Sequence, residues 1–110
     1  MKKISREELR DKLIMGENLK LVEALPKKYW EHSHIPGAVQ MDYKEVLQKA
    51  DRLLPDKEAE IIVYCASTEC QNSSIAAREL QNLGYTNVHE YAEGKQHWVE
   101  AGLPVARCVS

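Results

Sequence analysis

The chain has 110 residues, 44% of them apolar, with a formal net charge of -2 and its acidic and basic residues interspersed. This is the size and balance of one soluble domain, residues 1–110 with a core from about 4 to 105, with no basic stripe for nucleic acid. Charge at Lys2, Lys3, Arg6, Glu7 and Glu8 stands where a leader peptide needs apolar residues, and no apolar run approaches a membrane span, so the expected compartment is the cytoplasm.

Ile4 to Leu9 carries a helix start. Ser5 is placed to cap the N–H of Glu8, Glu8 to reach back, and Ile4 and Leu9 to form a hydrophobic staple. Leu9 and Leu13 share a face, and Gly16 supplies a stop. Leu19 to Leu25 predicts the first central strand, ending before Pro26. Lys27 to Glu31 predicts one turn of helix or loop in which Tyr29 and Trp30 pack. Pro36-Gly37 is a turn signal, and Ala38 to Met41 a short strand. Asp42 is placed to cap a helix carrying Tyr43, Val46, Leu47, Ala50 and Leu53. After a charged cluster from Asp56 to Glu60, the run Ile61-Ile62-Val63-Tyr64 is apolar throughout, as in a parallel strand covered on both faces.

That run stops at Cys65, and a polar loop leads into a helix burying Ile75, Ala76, Leu80 and Leu83. Gly84 ends it. Val88 to Tyr91 is a further strand, and Gly94 to Ala101 a last helix carrying Trp98. Alternating strands and helices predict an α/β fold, a small parallel β-sheet flanked by helices on both faces.

The chemistry centres on Cys65. A strand that delivers a thiol to a loop just before a helix N-terminus aims it at free N–H groups, which favour the thiolate. The loop residues Ala66, Ser67, Thr68, Glu69, Gln71 and Asn72 are small or polar, so their N–H groups are free to turn around a sulfur or an anion. Cys70, five residues on, is a candidate second functional thiol. A Thr68–Gln71 capping box would place it in the first helical turn, whereas an Asn72 or Ser73 cap would leave it in the loop. A Cys65–Cys70 disulfide is within reach of a curved loop.

An odd, small number of cysteines argues against a structural disulfide framework. Cys65 and Cys70 with His32 or His34 could in principle supply zinc ligands, but C-x4-C is not a usual zinc spacing. No metal and no organic cofactor is expected. His34 is expected to stabilise a turn, His89 and His97 to be surface or partly buried residues, and Cys108 to be an incidental thiol near the chain end.

Three stretches together are diagnostic. His34-Ile35-Pro36-Gly37-Ala38, the Val63-Tyr64-Cys65 strand end followed by Ser73-x-x-Ala76-Ala77, and Gly94…Trp98…Ala101-Gly102-Leu103-Pro104-Val105 resemble a single-domain rhodanese, from about Ile4 to Val105. The resemblance implies an α/β sulfurtransferase in which Cys65 carries a persulfide sulfur, taken from a small-molecule or protein persulfide donor and passed to a thiol or other nucleophilic acceptor. Two departures stand out. Glu23-Ala24-Leu25 stands where the family usually reads Asp-Val-Arg. Asn72 stands where an arginine usually precedes the serine, in a loop longer than the common form. That loop has no Lys or Arg and contains Glu69, which by like-charge repulsion disfavours thiosulfate, phosphate and arsenate. The expected donor is a neutral or protein-bound persulfide, with Cys70 as resolving thiol. Two other classes fit the same residues: a non-catalytic binding or sensor module, and a thiol–disulfide redox protein using Cys65 and Cys70.

Overall fold

The apolar run ending at Tyr64 forms the middle strand of a five-stranded sheet in a computed structural model that describes residues 2–16 and 18–107. The elements in chain order are β1 (Lys2–Lys3), α1 (Arg6–Ile14), β2 (Leu19–Glu23), α2 (Lys27–His32), β3 (Val39–Gln40), a 3-10 turn (Tyr43–Glu45), α3 (Val46–Leu53), β4 (Glu60–Tyr64), α4 (Asn72–Asn82), β5 (Val88–Tyr91) and α5 (Gly94–Glu100). The sheet order is β1-β5-β4-β2-β3, and every pairing is parallel.

Alternation along the central strands divides the core in two. Ile61 and Val63 of β4, Val22 of β2 and Val88 of β5 pack with Val46 and Ala50 of α3 and Ala76, Ala77 and Leu80 of α4. On the opposite face, Ile62, Tyr64, Leu21 and Tyr91 pack with Leu9 of α1 and Trp98 of α5. A parallel sheet buried on both faces is the architecture that a non-alternating β4 demands. No helix among the described residues is long and apolar enough to cross a membrane.

Several local expectations change. Lys2 and Lys3 form an edge strand, in register with His89 and Glu90. Charged residues there gave no strand signal, yet lysines suit an exposed edge. β2 ends at Glu23, two residues before Leu25. Trp30 packs, donating its Nε1–H to Ala38 O at 2.9 Å and stacking on His34, but Tyr29 is half exposed. The Asp42 side chain makes no cap hydrogen bond, because a 3-10 turn intervenes before α3. Leu47 and Ile75 point outward, exposed by 69% and 39%. On α4 it is Ser73, Ala76, Ala77 and Leu80 that face inward.

Ser5 does cap α1, its Oγ accepting from Glu8 N–H at 3.1 Å. The Glu8 carboxylate instead takes Lys2 Nζ at 3.0 Å, so the capping bond rests on Ser5. Ser5→Ala is therefore expected to cost about 1 kcal/mol, read as a lower urea midpoint at unchanged slope.

Candidate active site

β4 delivers Cys65 to the carboxyl edge of the sheet, where open parallel sheets bind ligands. The residue is buried, 1% exposed, and its loop is pinned from above by the start of α5. Lys95 N–H donates to Cys65 O and Gln96 N–H to Ala66 O, both at 2.8 Å. The approach depends on Gly94, which has φ +81° and on which a Cβ would lie 2.6 Å from Ser67 N. No side chain fits there, and the backbone conformation itself favours glycine.

The loop turns back at Cys70, whose N–H donates to Ser67 O at 3.1 Å. Among the described residues, the N–H groups of Ala66, Ser67, Thr68, Glu69 and Gln71 have no protein hydrogen-bond partner. They are the donors that a sulfur or anion cradle needs. Cys70 forms a disulfide with Cys65, with Cα atoms 6.3 Å apart.

Neither expected cap forms on α4. The helix begins at Asn72 with Gln71 at the N-cap and no side-chain cap bond, so Cys70 stays in the loop. Ser73 turns inward instead. Its Oγ lies 3.4 Å from Cys65 Sγ and donates to Glu90 Oε2 at 2.6 Å, an oxygen that also accepts from Ser74 Oγ at 2.9 Å. Glu69 is exposed, as is Arg78 further along α4. A groove of about 420 Å³ reaches the loop at Ala66 and Asn72, walled by Tyr29, Tyr43, Asp42 and Lys44. Lys44 thus brings a cation to the edge of a loop that has none of its own.

On the other face lies a buried polar cluster. Glu23 is wholly buried, and Tyr64 OH donates to its Oε1 at 2.7 Å. Lys95 Nζ lies 3.2 Å from both of its carboxylate oxygens and also donates to Tyr29 O and Ser33 O. Burial pushes the Glu23 carboxyl above its ordinary value, opposed by the bonds from Tyr64 and Lys95. Burial, reinforced by Glu23, pushes the Tyr64 hydroxyl well up, so it stays a donor. The lysine that holds Glu23 is the residue whose N–H holds Cys65 O.

The histidines take up structural positions. His34 Nδ1 is 2.7 Å from Trp30 O, and the His34 backbone bridges to Ala106. His97 sits between Arg6 and Glu93, and His89 lies beside Glu60. Burial lowers the His89 pKa, opposed by Glu60. Among the described residues no group of three or more His, Cys, Asp or Glu is placed to hold a metal ion. Cys108 lies outside the described residues.

Gly94, Lys95 and Glu90 were not singled out from the sequence as site residues. One signal existed for Glu90. It stands two residues from Val88 in a short strand, so period-two alternation puts its side chain on the same buried face.

A family model described as "Rhodanese-like domain" matches residues 5–101. An HTH-type transcriptional regulator of Mycobacterium tuberculosis is 31% identical over 102 residues, covering 93% of this chain and 43% of that protein. An adenylyltransferase and sulfurtransferase of Candida albicans is 31% identical over 93 residues, covering 76% of this chain and 21% of that protein. The chain therefore spans less than half the length of these two relatives. A thiosulfate sulfurtransferase of Escherichia coli is 33% identical over 64 residues, covering 58% of this chain and 59% of that protein. Among solved structures, the rhodanese-like domain of an Anabaena protein superposes with TM-score 0.86 at 25% identity, over 97% of this chain and 80% of that one. A human single-domain sulfurtransferase superposes with TM-score 0.78 at 24% identity, over 91% and 96%, a likeness of fold.

The Glu23–Lys95 pair has a pH signature. A carboxyl whose pKa is raised on folding loses stabilising power as pH rises from its ordinary value, 4.5, towards its folded value. Lys95 limits that rise by favouring the charged form. Lys95→Met is thus expected to destabilise little near pH 4 and by about 3 kcal/mol at pH 8, where Glu23 would be left charged and unpaired. Chemical denaturation across that range reads the difference.

Proposed function

The chain belongs to the rhodanese-like domain family, and on that premise we propose that it is a sulfurtransferase using Cys65 as the sulfur carrier and Cys70 as resolving thiol. The observation that carries this reading is the position of Cys65: a sulfur at the end of the central strand, inside a loop of unpartnered N–H donors, with a second cysteine in bonding reach.

The Cys65 thiolate attacks the sulfane sulfur of a persulfide donor. An S–S bond forms on Cys65, the donor S–S bond breaks, and the donor leaves as a thiolate. The persulfide anion is held by the loop N–H groups. An external thiolate then removes the terminal sulfur and regenerates Cys65. Alternatively, the Cys70 thiolate attacks Cys65 Sγ of the persulfide once its outer sulfur has taken a proton from water, releasing hydrosulfide and leaving the Cys65–Cys70 disulfide, which a dithiol reductant reopens. The groove reaching Ala66 and Asn72 is the approach for donor and acceptor. Ala66, Ser67, Thr68, Glu69, Gln71 and Asn72 serve as the cradle, chiefly through backbone N–H groups. The absence of arginine in the loop supports a thiol-linked persulfide over thiosulfate as donor, and residues 1–110 are taken to act as one domain in the cytoplasm.

The Cys65–Cys70 pairing also favours a second reading, a thiol–disulfide redox protein. Reduced protein is incubated with an organic persulfide and, separately, with thiosulfate, and its intact mass is measured. Gain of one sulfur with the persulfide, stronger than with thiosulfate and abolished in Cys65→Ser, is expected. Cys70→Ser is expected to keep the added sulfur at least tenfold longer, because the intramolecular release is gone. Loss of two hydrogens without sulfur gain would favour the redox protein, and no change with either donor a binding module.

A further inference from the structure

Behind the sulfur lies a group the reaction above does not use. Glu90 of β5 is 3% exposed. Its Oε2 accepts the hydroxyl protons of Ser73 and Ser74, and as a carboxylate the group has no proton of its own to give. Its Oε1 is buried with no hydrogen-bond partner. A serine hydroxyl has one proton, and Ser73 commits it to Glu90. What Ser73 Oγ presents to Cys65 Sγ, 3.4 Å away, is therefore a lone pair.

A lone pair accepts from a thiol S–H and repels a thiolate. The carboxylate charge, two hydrogen-bond lengths from the sulfur in a water-poor interior, acts in the same direction. We propose that Glu90, acting through the Ser73 hydroxyl, is a positioning residue that holds reduced Cys65 in the thiol form and turns its site against anionic sulfur donors. The reading rests on the sulfurtransferase assignment for its substrate consequence, while the ionisation of Cys65 stands apart from it. The loop N–H groups favour negative charge on the outer side of the sulfur, where the terminal persulfide sulfur would sit. Glu90 opposes it on the inner side. The balance suits a thiol that is mostly protonated at rest, ionises to attack the donor, and holds charge more readily once the added sulfur extends into the loop.

The other ionisable groups around the pair are placed differently. Glu23 and Lys95 neutralise one another on the opposite face of the sheet. Lys3 of β1 stands in register with Glu90 but is exposed and forms no ion pair with it. Asp42 and Lys44 lie across the groove beyond Ala66 and Asn72. Glu93, at the N-cap of α5, and His97 pair with each other, His89 alternates to the other face, and Glu69 and Arg78 are exposed.

The test uses the whole chain carrying Cys70→Ser, so that no disulfide forms. Alkylation of Cys65 by neutral iodoacetamide and by anionic iodoacetate is followed by intact mass from pH 5 to pH 10, with thermal melting to check folding. The parent is expected to have its alkylation midpoint above the ordinary thiol value of about 8.5. Glu90→Gln is expected to lower the midpoint by about 1–2 pH units, and to narrow the preference for iodoacetamide over iodoacetate by about tenfold. Ser73→Ala is expected to lower it by less, since the charge remains, and Glu69→Gln, at an exposed site, by least. An unchanged or raised midpoint in folded Glu90→Gln, or a larger shift in Glu69→Gln, overturns the proposal. If Glu90→Gln does not fold, the 13Cβ resonance of Cys65 in the parent decides: a midpoint above about 8.5 supports it and one at or below that value overturns it. Neither readout involves sulfur transfer, so failure here is separable from failure to gain sulfur from any donor.

Discussion

Two backbone hydrogen bonds hold the candidate site together: Lys95 N–H to Cys65 O and Gln96 N–H to Ala66 O. The first N–H groups of a helix have no partner within it. At α5 two of them are spent on the carbonyls of the thiol loop. That leaves the loop's own N–H groups facing no protein acceptor, a state a buried segment could not tolerate but a ligand cradle requires. The clamp exists because Gly94 lets α5 begin against Ser67 at a separation no Cβ permits. A helix start is thereby converted from an anion site of its own into a support for another one.

The same lysine carries the support through the sheet. Its backbone fixes Cys65 and its ammonium fixes Glu23, which in turn takes the Tyr64 hydroxyl. Tyr64 OH also accepts from Ile35 N–H at 3.1 Å, so the turn after α2 is tied to the residue just before Cys65. A buried charge pair is weak evidence for stability, since desolvation offsets much of its attraction. Its value here lies in geometry: it admits one arrangement of α5, β2 and β4, and that arrangement places the sulfur.

Much of this was legible in the sequence, and the illegible part has a physical pattern. Ile61 to Tyr64 announced a central strand because covered parallel strands need no alternation. Cys65 announced a candidate site because its strand stopped where the loop began. The helix boundaries were legible at Ser5, where a cap operates, and not at Asn72, where none does: Ser73 looked like a capping residue but spends its hydroxyl on Glu90. β1 was invisible because two lysines carry no pattern, and their pairing is decided by the edge of β5. Lys95 and Glu90 were missed because their partners are distant in sequence, 72 residues away for Lys95 and Glu23 and 17 for Glu90 and Ser73. Long-range polar pairing leaves no local trace.

Charge in the loop also looks different in three dimensions. From sequence, Glu69 was the carboxylate set against anions, and no basic residue offset it. In the fold Glu69 is exposed, where water and salt screen it, and Lys44 comes to the groove from the far side of β3. The carboxylate that water cannot screen is Glu90, behind the sulfur. With Asp42 and Lys44 both on the groove wall and Glu69 in water, the entrance carries both signs of charge and its field on an incoming anion is weak. On the proposed reading, discrimination would fall to the sulfur itself, in what charge its immediate surroundings let it hold. That constraint acts on the ionisation of Cys65 more than on encounter. For the proposed sulfur transfer, a nucleophile held this way would tie the rate to pH rather than to ionic strength.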